Sequence, residues 1–333
     1  MSSVLERLNA ALTQVMEADD RVYLLGEDIL DPYGGAFKVT RGLSTRFPNR
    51  VLTTPISEAA IVGVCSGMAM RGLHPVAEIM FGDFVTLIAD PLINHAAKFR
   101  WMYNEQTRVP IVVRAPMGGR RGYGPTHSQS LEKLFLGIPG LKVLSPNTLQ
   151  DPAQLLKDAI LQDDGPVLFI EHKLLYTCQM LPSGSPELME FEVSSSSSAA
   201  PVSTLRIAGA PKTQVTIAAY GYNFELARAA ALKLAYEYEI FAEIVLFSQL
   251  SPFDLQPLYK SLERTRRLLT VEEGTHPMGW GAEITSQASQ KIPGLVFRRV
   301  AALNYPVANS KTLEDEILPS IDSILTAALD ILK

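Results

Sequence analysis

Short apolar runs that alternate with helical stretches restrict the fold of this chain more than any other feature. In the first half, compact aliphatic runs are followed by helical patterns or turns, and they lie at residues 22–25, 76–80, 111–113, 143–144 and 167–170. Further runs lie at residues 215–219, 244–247, 268–271 and 296–299. Strands that alternate with helices predict an α/β fold in which helices cover both faces of mostly parallel sheets.

The length of the chain and a change in composition predict two domains. The chain has 333 residues, more than one ordinary hydrophobic core accommodates. Five consecutive serines occupy residues 194–198, close to several Pro, Gly and Ala residues. Such a composition is typical of a linker or a long surface loop. We expect a first domain at residues 1–185, a linker at 186–212 and a smaller α/β domain at 213–333.

Charge and hydropathy exclude two classes of partner. The formal net charge is -5 and the isoelectric point is near 5.6. No positive field is therefore expected to collect nucleic acid or an anionic membrane surface. No run reaches the ~18 apolar residues of a membrane-spanning helix, and no secretory pattern is present at the N-terminus. We expect a cytoplasmic protein, with an organelle matrix as the open alternative.

The string TTPISEAAIVG places an acid at the predicted start of a helix. Ser57 is a suitable N-cap, so Glu58 falls in the first turn among apolar residues. One interpretation is that the acid only complements the helix dipole. The other is a carboxyl group in a dry pocket, where it shares a proton with a ligand nitrogen. The spacing alone leaves both interpretations open.

The stretch MGGRRGYGPTHSQS, from Met117 to Ser130, predicts a glycine-rich loop that carries a single imidazole, His127. A histidine in a loop is often only structural, but glycines, basic residues and an imidazole together favour a binding site. The glycines fit neither GxGxxG nor GxxxxGK[ST], so the loop gives no indication of nucleotide binding.

A family resemblance extends over nearly the whole chain. It rests on short strings in a fixed order: TTPISE, GLHPVAEIMFGDF, INHAAKFR, HSQS, PGLKVLSP, GPVLFIEHKLLY, and VEEG followed by GWGAEI. In this order the chain resembles the beta subunit of the thiamine-diphosphate-dependent decarboxylating component of 2-oxo acid dehydrogenases, within the transketolase-like group. The resemblance implies a pyrimidine-binding domain followed by a transketolase C-terminal-like domain.

The resemblance also implies roles for individual residues. Glu58 in PISE matches the acid that contacts the pyrimidine ring nitrogen of thiamine diphosphate, and Ile56 in the same string lies beside it. Phe84 in FGDF resembles the aromatic residue that packs on the pyrimidine, with plain core packing as the alternative. His127 in HSQS resembles the histidine that faces the substrate and the incoming lipoyl group, where it moves a proton or orients a carboxylate.

The half of the cofactor site that binds diphosphate is missing from the chain. Thiamine enzymes hold magnesium with a GDG motif and a spaced asparagine, whereas here Gly82 and Asp83 are followed by Phe84. The resemblance therefore implies an alpha subunit that brings the magnesium ligands, in an α2β2 heterotetramer. It also implies a dihydrolipoyl acyltransferase, whose lipoyl domain receives the acyl group. We also expect two beta chains to associate with each other, because the contact between them should be large and apolar.

Some members of the family hold a potassium ion with backbone carbonyls. The matching positions in this chain are Ile111, Ala159, Ile160 and Asp163. Backbone ligation leaves little trace in the side chains, so this site follows from the resemblance alone.

The sequence is compatible with several functions. Pyruvate is the expected substrate, with branched-chain 2-oxo acids or acetoin as alternatives, because the partner chain forms part of the pocket. A split transketolase-like half acting on sugar phosphates is a second enzyme hypothesis. It requires a basic cluster that binds phosphate, and the only candidate in the C-terminal domain is Arg264, Arg266 and Arg267. A non-catalytic scaffold is the third hypothesis, and the presence of both Glu58 and His127 argues against it.

Overall fold

The computed structural model describes residues 2–333. It divides into two compact units. Unit 1 comprises the chain up to Gly118 together with Leu134–Met180, and unit 2 comprises Gly119–Lys133 together with Leu181–Lys333. Within residues 2–333, no helix is both long enough and apolar enough to cross a membrane.

Unit 1 is built on a parallel sheet. Its strands are β1 (Val22–Gly26), β2 (Val51–Thr53), β3 (His74–Glu78), β4 (Val112–Met117), β5 (Lys142–Leu144) and β6 (Val167–His172). They are arranged in the order β5-β6-β4-β3-β1-β2, and every neighbouring pair is parallel. Strands β4 and β6 are buried along their whole length, as expected for a sheet covered on both faces.

Helices and tighter turns connect these strands. The helices are α1 (Val4–Ala18), α2 (Leu43–Arg46), α3 (Glu58–Met70), α4 (Ala97–Met102) and α5 (Pro152–Leu161), with a 3-10 helix at Gly82–Ile88 and a π-helix at Pro91–Ala96. Local chemistry sets where α1 and α5 begin. Ser3 and Glu6 form a capping box at α1, whereas Asp151 caps α5 and Pro152 occupies its first position.

A buried ion-pair network crosses the core of unit 1. Arg114 on β4 donates to both carboxylate oxygens of Glu171 on β6, at 2.7 and 2.6 Å, and to Glu78 on β3 at 2.5 Å. The Tyr176 hydroxyl donates to Glu171 at 2.6 Å. Charges buried this deeply are tolerated because each has partners of opposite charge or hydrogen-bond donors.

Unit 2 contains a mixed sheet. The strands of this unit are β7 (Phe191–Ser195), β8 (Val202–Ile207), β9 (Val215–Tyr220), β10 (Ala242–Phe247), β11 (Gln249–Ser251), β12 (Arg267–Thr275) and β13 (Val296–Ala302), and all of them except β11 form the mixed sheet. The order is β13-β12-β9-β10-β8-β7, with parallel pairing from β13 to β10 and antiparallel pairing from β10 to β7. Its helices are α6 (Asn223–Tyr238), α7 (Gln256–Thr265), α8 (Trp280–Lys291), α9 (Lys311–Ile317) and α10 (Ile321–Asp330). The predicted fold of two mostly parallel α/β sheets flanked by helices is confirmed.

The segment that we expected to be a linker, residues 186–212, contains strands β7 and β8. They pair antiparallel, and their polar side chains face one another across the ladder: the hydroxyls of Ser194 and Thr204 and those of Ser195 and Ser203 are each 2.7 Å apart. Serine therefore serves here as a cross-strand partner rather than as a loop residue. The domain limits at residues 185 and 213 stay predictions.

Candidate functional site

Three strand ends of unit 1 converge at one edge of the sheet. Strand β1 lies between β3 and β2, and the pairing register sets Gly26 opposite both Thr53 and Glu78. The chain leaves β1 toward β2 on one side and then returns to β3 on the other side. Parallel sheets bind ligands outside the carboxyl ends of their strands at such a switch point.

Two acids lie at this edge. Glu27 directly follows β1, and Glu58 is the first residue of α3, the helix that follows β2. Each is only 6% exposed. The backbone N–H of Ser57 donates a hydrogen bond to the Glu27 carboxylate, which draws the start of α3 toward the end of β1. Ser57 is the N-cap residue by position, but its side chain makes no capping bond in the part of the chain described.

The pair of acids is arranged to hold a proton. Burial, together with the nearby Glu58 carboxylate, raises the pKa of Glu27. Within residues 2–333, Oε1 of Glu27 is buried and has no hydrogen-bond partner. A buried acid with a raised pKa and an oxygen without a hydrogen-bond partner can exchange a proton with a polar group of a ligand.

The sequence interpretation did not include Glu27. The signal that could have identified it is its position, because it immediately follows a buried strand of a parallel sheet. Its proximity to Glu58 depends on β1 and β2 being neighbours in the sheet, and the sequence order alone does not determine that pairing.

Apolar side chains lie near the same edge. Ile56 precedes α3 and is 83% exposed. Phe84 lies in the 3-10 helix that follows β3 and is half-buried, and its ring meets Phe81 edge-on with 6.0 Å between centroids. Unit 1 therefore brings Glu58, Ile56 and Phe84 to elements that follow β2 and β3. Their assignment to a cofactor stays a prediction.

The positions predicted for a potassium ion are also in unit 1. Ile111 immediately precedes β4, and its carbonyl accepts a hydrogen bond from Val167 N at 2.8 Å. Ala159 and Ile160 are buried in the last turn of α5. Asp163 follows this helix and forms an ion pair with Lys142. Among residues 2–333, no group of three or more His, Cys, Asp or Glu side chains is arranged to hold a metal ion.

His127 belongs to unit 2, within the segment Gly119–Lys133. Its side chain is half-buried, and its Nδ1 is 3.0 Å from the hydroxyl of Thr126. Its backbone N–H donates to the carbonyl of Gly124 at 3.3 Å, which closes a tight turn. The imidazole therefore lies on a structured loop.

Further acids that the sequence interpretation did not select are buried in unit 2. Glu132, at the end of the His127 segment, is 1% exposed and accepts a hydrogen bond from the Tyr220 hydroxyl at 2.5 Å. Burial raises the pKa of Glu132 to about 7. Glu272 and Glu273 of β12 are also buried, and Glu272 pairs with Arg299 at 2.9 Å.

Comparison with known proteins covers both units. The family described as transketolase, pyrimidine binding domain, matches residues 3–179, and the family described as transketolase, C-terminal domain, matches residues 206–324. A solved structure titled "Split gene transketolase, inactive beta4 tetramer" superposes with a TM-score of 0.75 at 20% identity. It covers 100% of this chain and 99% of the other, so the fold is shared.

Curated relatives are more similar in sequence. The acetoin:2,6-dichlorophenolindophenol oxidoreductase subunit beta of Cupriavidus necator is 38% identical, over 98% of this chain and 96% of its own length. The mitochondrial pyruvate dehydrogenase E1 component subunit beta-2 of Oryza sativa subsp. japonica is also 38% identical, over 98% of this chain and 85% of its own length. The corresponding beta subunit of Saccharomyces cerevisiae is 33% identical over 99% of this chain. The chain therefore belongs to the transketolase-like family of beta subunits of 2-oxo acid dehydrogenases.

Proposed function

We propose that this chain is the beta subunit of a thiamine-diphosphate-dependent 2-oxo acid dehydrogenase and supplies the half of the site that binds the aminopyrimidine. The observation that carries the proposal is the buried pair Glu27 and Glu58 at the switch point of the parallel sheet. An acid in this place is available to a ring nitrogen, because the ligand crevice of such sheets opens at the same edge.

The residues present fit an aminopyrimidine. The heterocycle offers a ring nitrogen to the Glu58 carboxyl, and the buried Oε1 of Glu27 has no hydrogen-bond partner in the described part of the chain. Ile56 and Phe84 offer apolar surface for the ring faces. When bound, thiamine diphosphate supplies the carbanion chemistry that decarboxylation of a 2-oxo acid requires. Glu58 holds or releases a proton at the ring nitrogen, and the raised pKa of Glu27 favours its protonated form beside Glu58.

The outward face of α3 supports a second chain as partner. The helix is apolar around its circumference, yet Gly63, Val64 and Gly67 are exposed. Small exposed residues on an apolar helix permit close approach of another backbone. In the proposed complex an alpha subunit covers this face and brings the magnesium ion with the diphosphate ligands, in an α2β2 assembly.

Pyruvate is the proposed substrate, and acetoin and branched-chain 2-oxo acids are the alternatives. The names of two relatives at 38% identity, one a pyruvate dehydrogenase and one an acetoin oxidoreductase, support the first two. In the proposed reaction, His127 faces the substrate and the lipoyl domain of a dihydrolipoyl acyltransferase, and exchanges a proton with one of them. The association of two beta chains stays a prediction. The binding of a potassium ion at Ile111, Ala159, Ile160 and Asp163 stays a prediction as well.

The test is an activity assay on the chain purified with its alpha subunit. Reduction of a dye electron acceptor is followed with three alternative substrates: pyruvate and 3-methyl-2-oxobutanoate, which lose CO2, and acetoin, which has no carboxyl group and is cleaved without loss of CO2. Glu58→Gln keeps the size of the side chain but removes the proton that it exchanges, so we expect kcat to fall about 100-fold or more. Glu237→Gln, on the exposed surface of α6, is the matched control and should leave kcat unchanged.

Two results would contradict the proposal. One is full activity in Glu58→Gln. The other is activity of the assembled protein on sugar phosphates alone, which would favour the split transketolase-like function. A lack of activity with every substrate, together with normal assembly, would favour a scaffold.

A further inference from the structure

Two buried carboxylates of unit 2 hold the segment that carries His127. The segment is residues 119–133, which we call the 119–133 loop. The carboxylates are those of Glu273, at the end of β12, and Glu314, on α9. Glu273 is 4% exposed and Glu314 is 2% exposed, so both are shielded from water and make their contacts within the protein.

Glu273 binds both ends of the turn that contains His127. Its Oε1 accepts from the backbone N–H of Gly119 at 2.7 Å and from the Ser130 hydroxyl at 3.4 Å. Its Oε2 is 3.5 Å from Nε of Arg120. One carboxylate therefore joins residues that lie on either side of His127 in the sequence.

Glu314 binds the backbone between those ends. Its Oε1 accepts from Arg120 N at 2.6 Å, and its Oε2 accepts from Gly122 N at 3.2 Å. Both carboxylate oxygens therefore accept hydrogen bonds from backbone N–H groups of the loop. Hydrogen bonds to a carboxylate are stronger than those between neutral groups. The Arg120 side chain adds a bond to the carbonyl of Pro319, directly beyond the same helix.

The backbone of the loop needs such support. Arg120 has φ +70°, Gly122 φ +68° and Gly124 φ +77°. A left-handed conformation is unfavourable for a non-glycine residue, and it persists only where the surroundings fix it. The bonds from Gly119 N, Arg120 N and Gly122 N fix it here, because they direct successive amides at two anions.

We propose that Glu273 and Glu314 are positioning residues that fix the 119–133 loop and thereby the place of the His127 imidazole during catalysis. The catalytic part of this inference rests on the proposed function. Neither acid is proposed to touch the substrate. They act on His127 through the backbone of the loop, because a displacement of about 1 Å in a reacting group lowers the rate by up to about 100-fold.

The experiment uses Glu314→Gln and Glu273→Gln in the full chain assembled with its alpha subunit. A glutamine keeps the shape but replaces one carboxylate oxygen by an NH2 group, which cannot accept a hydrogen bond. In Glu314→Gln one backbone bond, from Arg120 N or Gly122 N, is therefore lost. In Glu273→Gln the NH2 group faces either Gly119 N or Nε of Arg120, so the contact with one of these two groups is lost. We expect amide hydrogen exchange in residues 117–126 to accelerate about 10-fold or more. We expect kcat to fall about 10- to 100-fold, while the KM for thiamine diphosphate and the melting temperature stay close to wild type.

Asp315→Asn is the matched control, because Asp315 lies next to Glu314 on α9 but pairs with the exposed Lys311. It should change neither exchange nor kcat. Unchanged exchange in both glutamine variants would overturn the inference, and so would faster exchange with normal kcat. The two proposals fail separately: if Glu58→Gln kept full activity, the proposed function would fail, whereas the exchange experiment would still decide whether the two acids fix the loop.

Discussion

The buried acids Glu78 and Glu171 of unit 1 differ from Glu27 in their partners. Glu78 and Glu171 pair with Arg114, which neutralises charge in the core of unit 1. Glu27 has no such cation and keeps an oxygen without a hydrogen-bond partner in the described part of the chain. The first two acids depend on their cation, since removing Arg114 would leave two uncompensated carboxylates in the core. Glu27 has the properties of a functional site.

Glu132 provides a prediction about pH and stability. Its pKa of about 7 in the folded protein lies above the ordinary value of 4.5. Between those values the folded state binds more protons than the unfolded state, so stability falls as pH rises. Glu132→Gln removes this proton and keeps an acceptor for Tyr220. We therefore expect the variant to gain about 1–3 kcal/mol relative to wild type between pH 4 and pH 8.

Urea unfolding at pH 4, 6 and 8 checks this prediction. The difference in unfolding free energy between variant and wild type should grow in favour of the variant as pH rises. Parallel pH profiles for the two proteins would show that Glu132 does not titrate in this range.

At the residue scale, the sequence indicated Glu58 and His127 but not their neighbours. Glu58 stands at a recognisable helix start, and His127 stands in a glycine-rich loop. The position of Glu27 after a buried strand is its only signal, and Glu273 and Glu314 were not selected because their contacts join residues that are distant in the chain. Gly119 and Glu273, for example, are 154 positions apart.

At the element scale, the string GWG sets how closely α8 approaches the sheet of unit 2. Trp280 is fully buried and packs edge-on against Tyr220 and Phe247. The N–H of Gly281 donates to Glu272 on β12 at 3.1 Å, so a buried carboxylate satisfies the start of the helix. The flanking glycines leave room for that carboxylate.

Gly281→Ala tests this close approach. A Cβ at this position would lie 2.3 Å from Oγ1 of Thr270 and 2.8 Å from Oε1 of Glu272. We expect a loss of about 1–3 kcal/mol in the free energy of unfolding, because α8 must move away from β12. Gly63→Ala on α3 is the control, since nothing lies within 4 Å of its Cβ. In the isolated chain it should gain about 0.5–1 kcal/mol. Equal stability of the two variants would contradict this account of the packing.

The strands of the two sheets could be predicted from the sequence more readily than the structure of residues 186–212. Apolar periodicity located strands β1, β4, β6, β9, β10 and β12, because runs buried on both faces are continuous in sequence. Strand β13 was located as well, although Val296 and Phe297 at its start are exposed. Strand β7 was missed because it is largely exposed and leads into the serine run, which has the composition of a loop. Strand β8 is mostly buried, but it follows that run directly and was counted with the linker. Only the pairing of hydroxyls across the ladder distinguishes them.

At the scale of the whole molecule, the exposed apolar face of α3 supports the proposal that this chain binds another chain. Val64 is 54% exposed on that face. Neither its exposure nor the partner could be read from the sequence, because the periodicity of α3 is apolar on all sides. The resemblance to known beta subunits supplied the expectation of an alpha subunit, and the exposed helix face supports it.

Val64→Glu tests this face. A charge on an exposed position should change the stability of the isolated chain by no more than about 0.5 kcal/mol. In the complex the same charge would be desolvated, so we expect assembly with the alpha subunit to be lost in sedimentation velocity experiments. Gln290→Glu, on the exposed side of α8, is the control and should assemble normally. Normal assembly of Val64→Glu would show that the partner binds elsewhere.

The most direct test of the split cofactor site is a calorimetric titration of thiamine diphosphate with magnesium. It is carried out on the isolated chain, on the alpha subunit and on the mixture, each with wild-type chain and with Glu58→Gln. We predict tight binding only in the mixture, weakened about 10-fold or more by Glu58→Gln through loss of a hydrogen bond to a charged group. Two results would contradict this account: tight binding by the isolated chain, or equal affinity of the wild-type and Glu58→Gln mixtures for thiamine diphosphate.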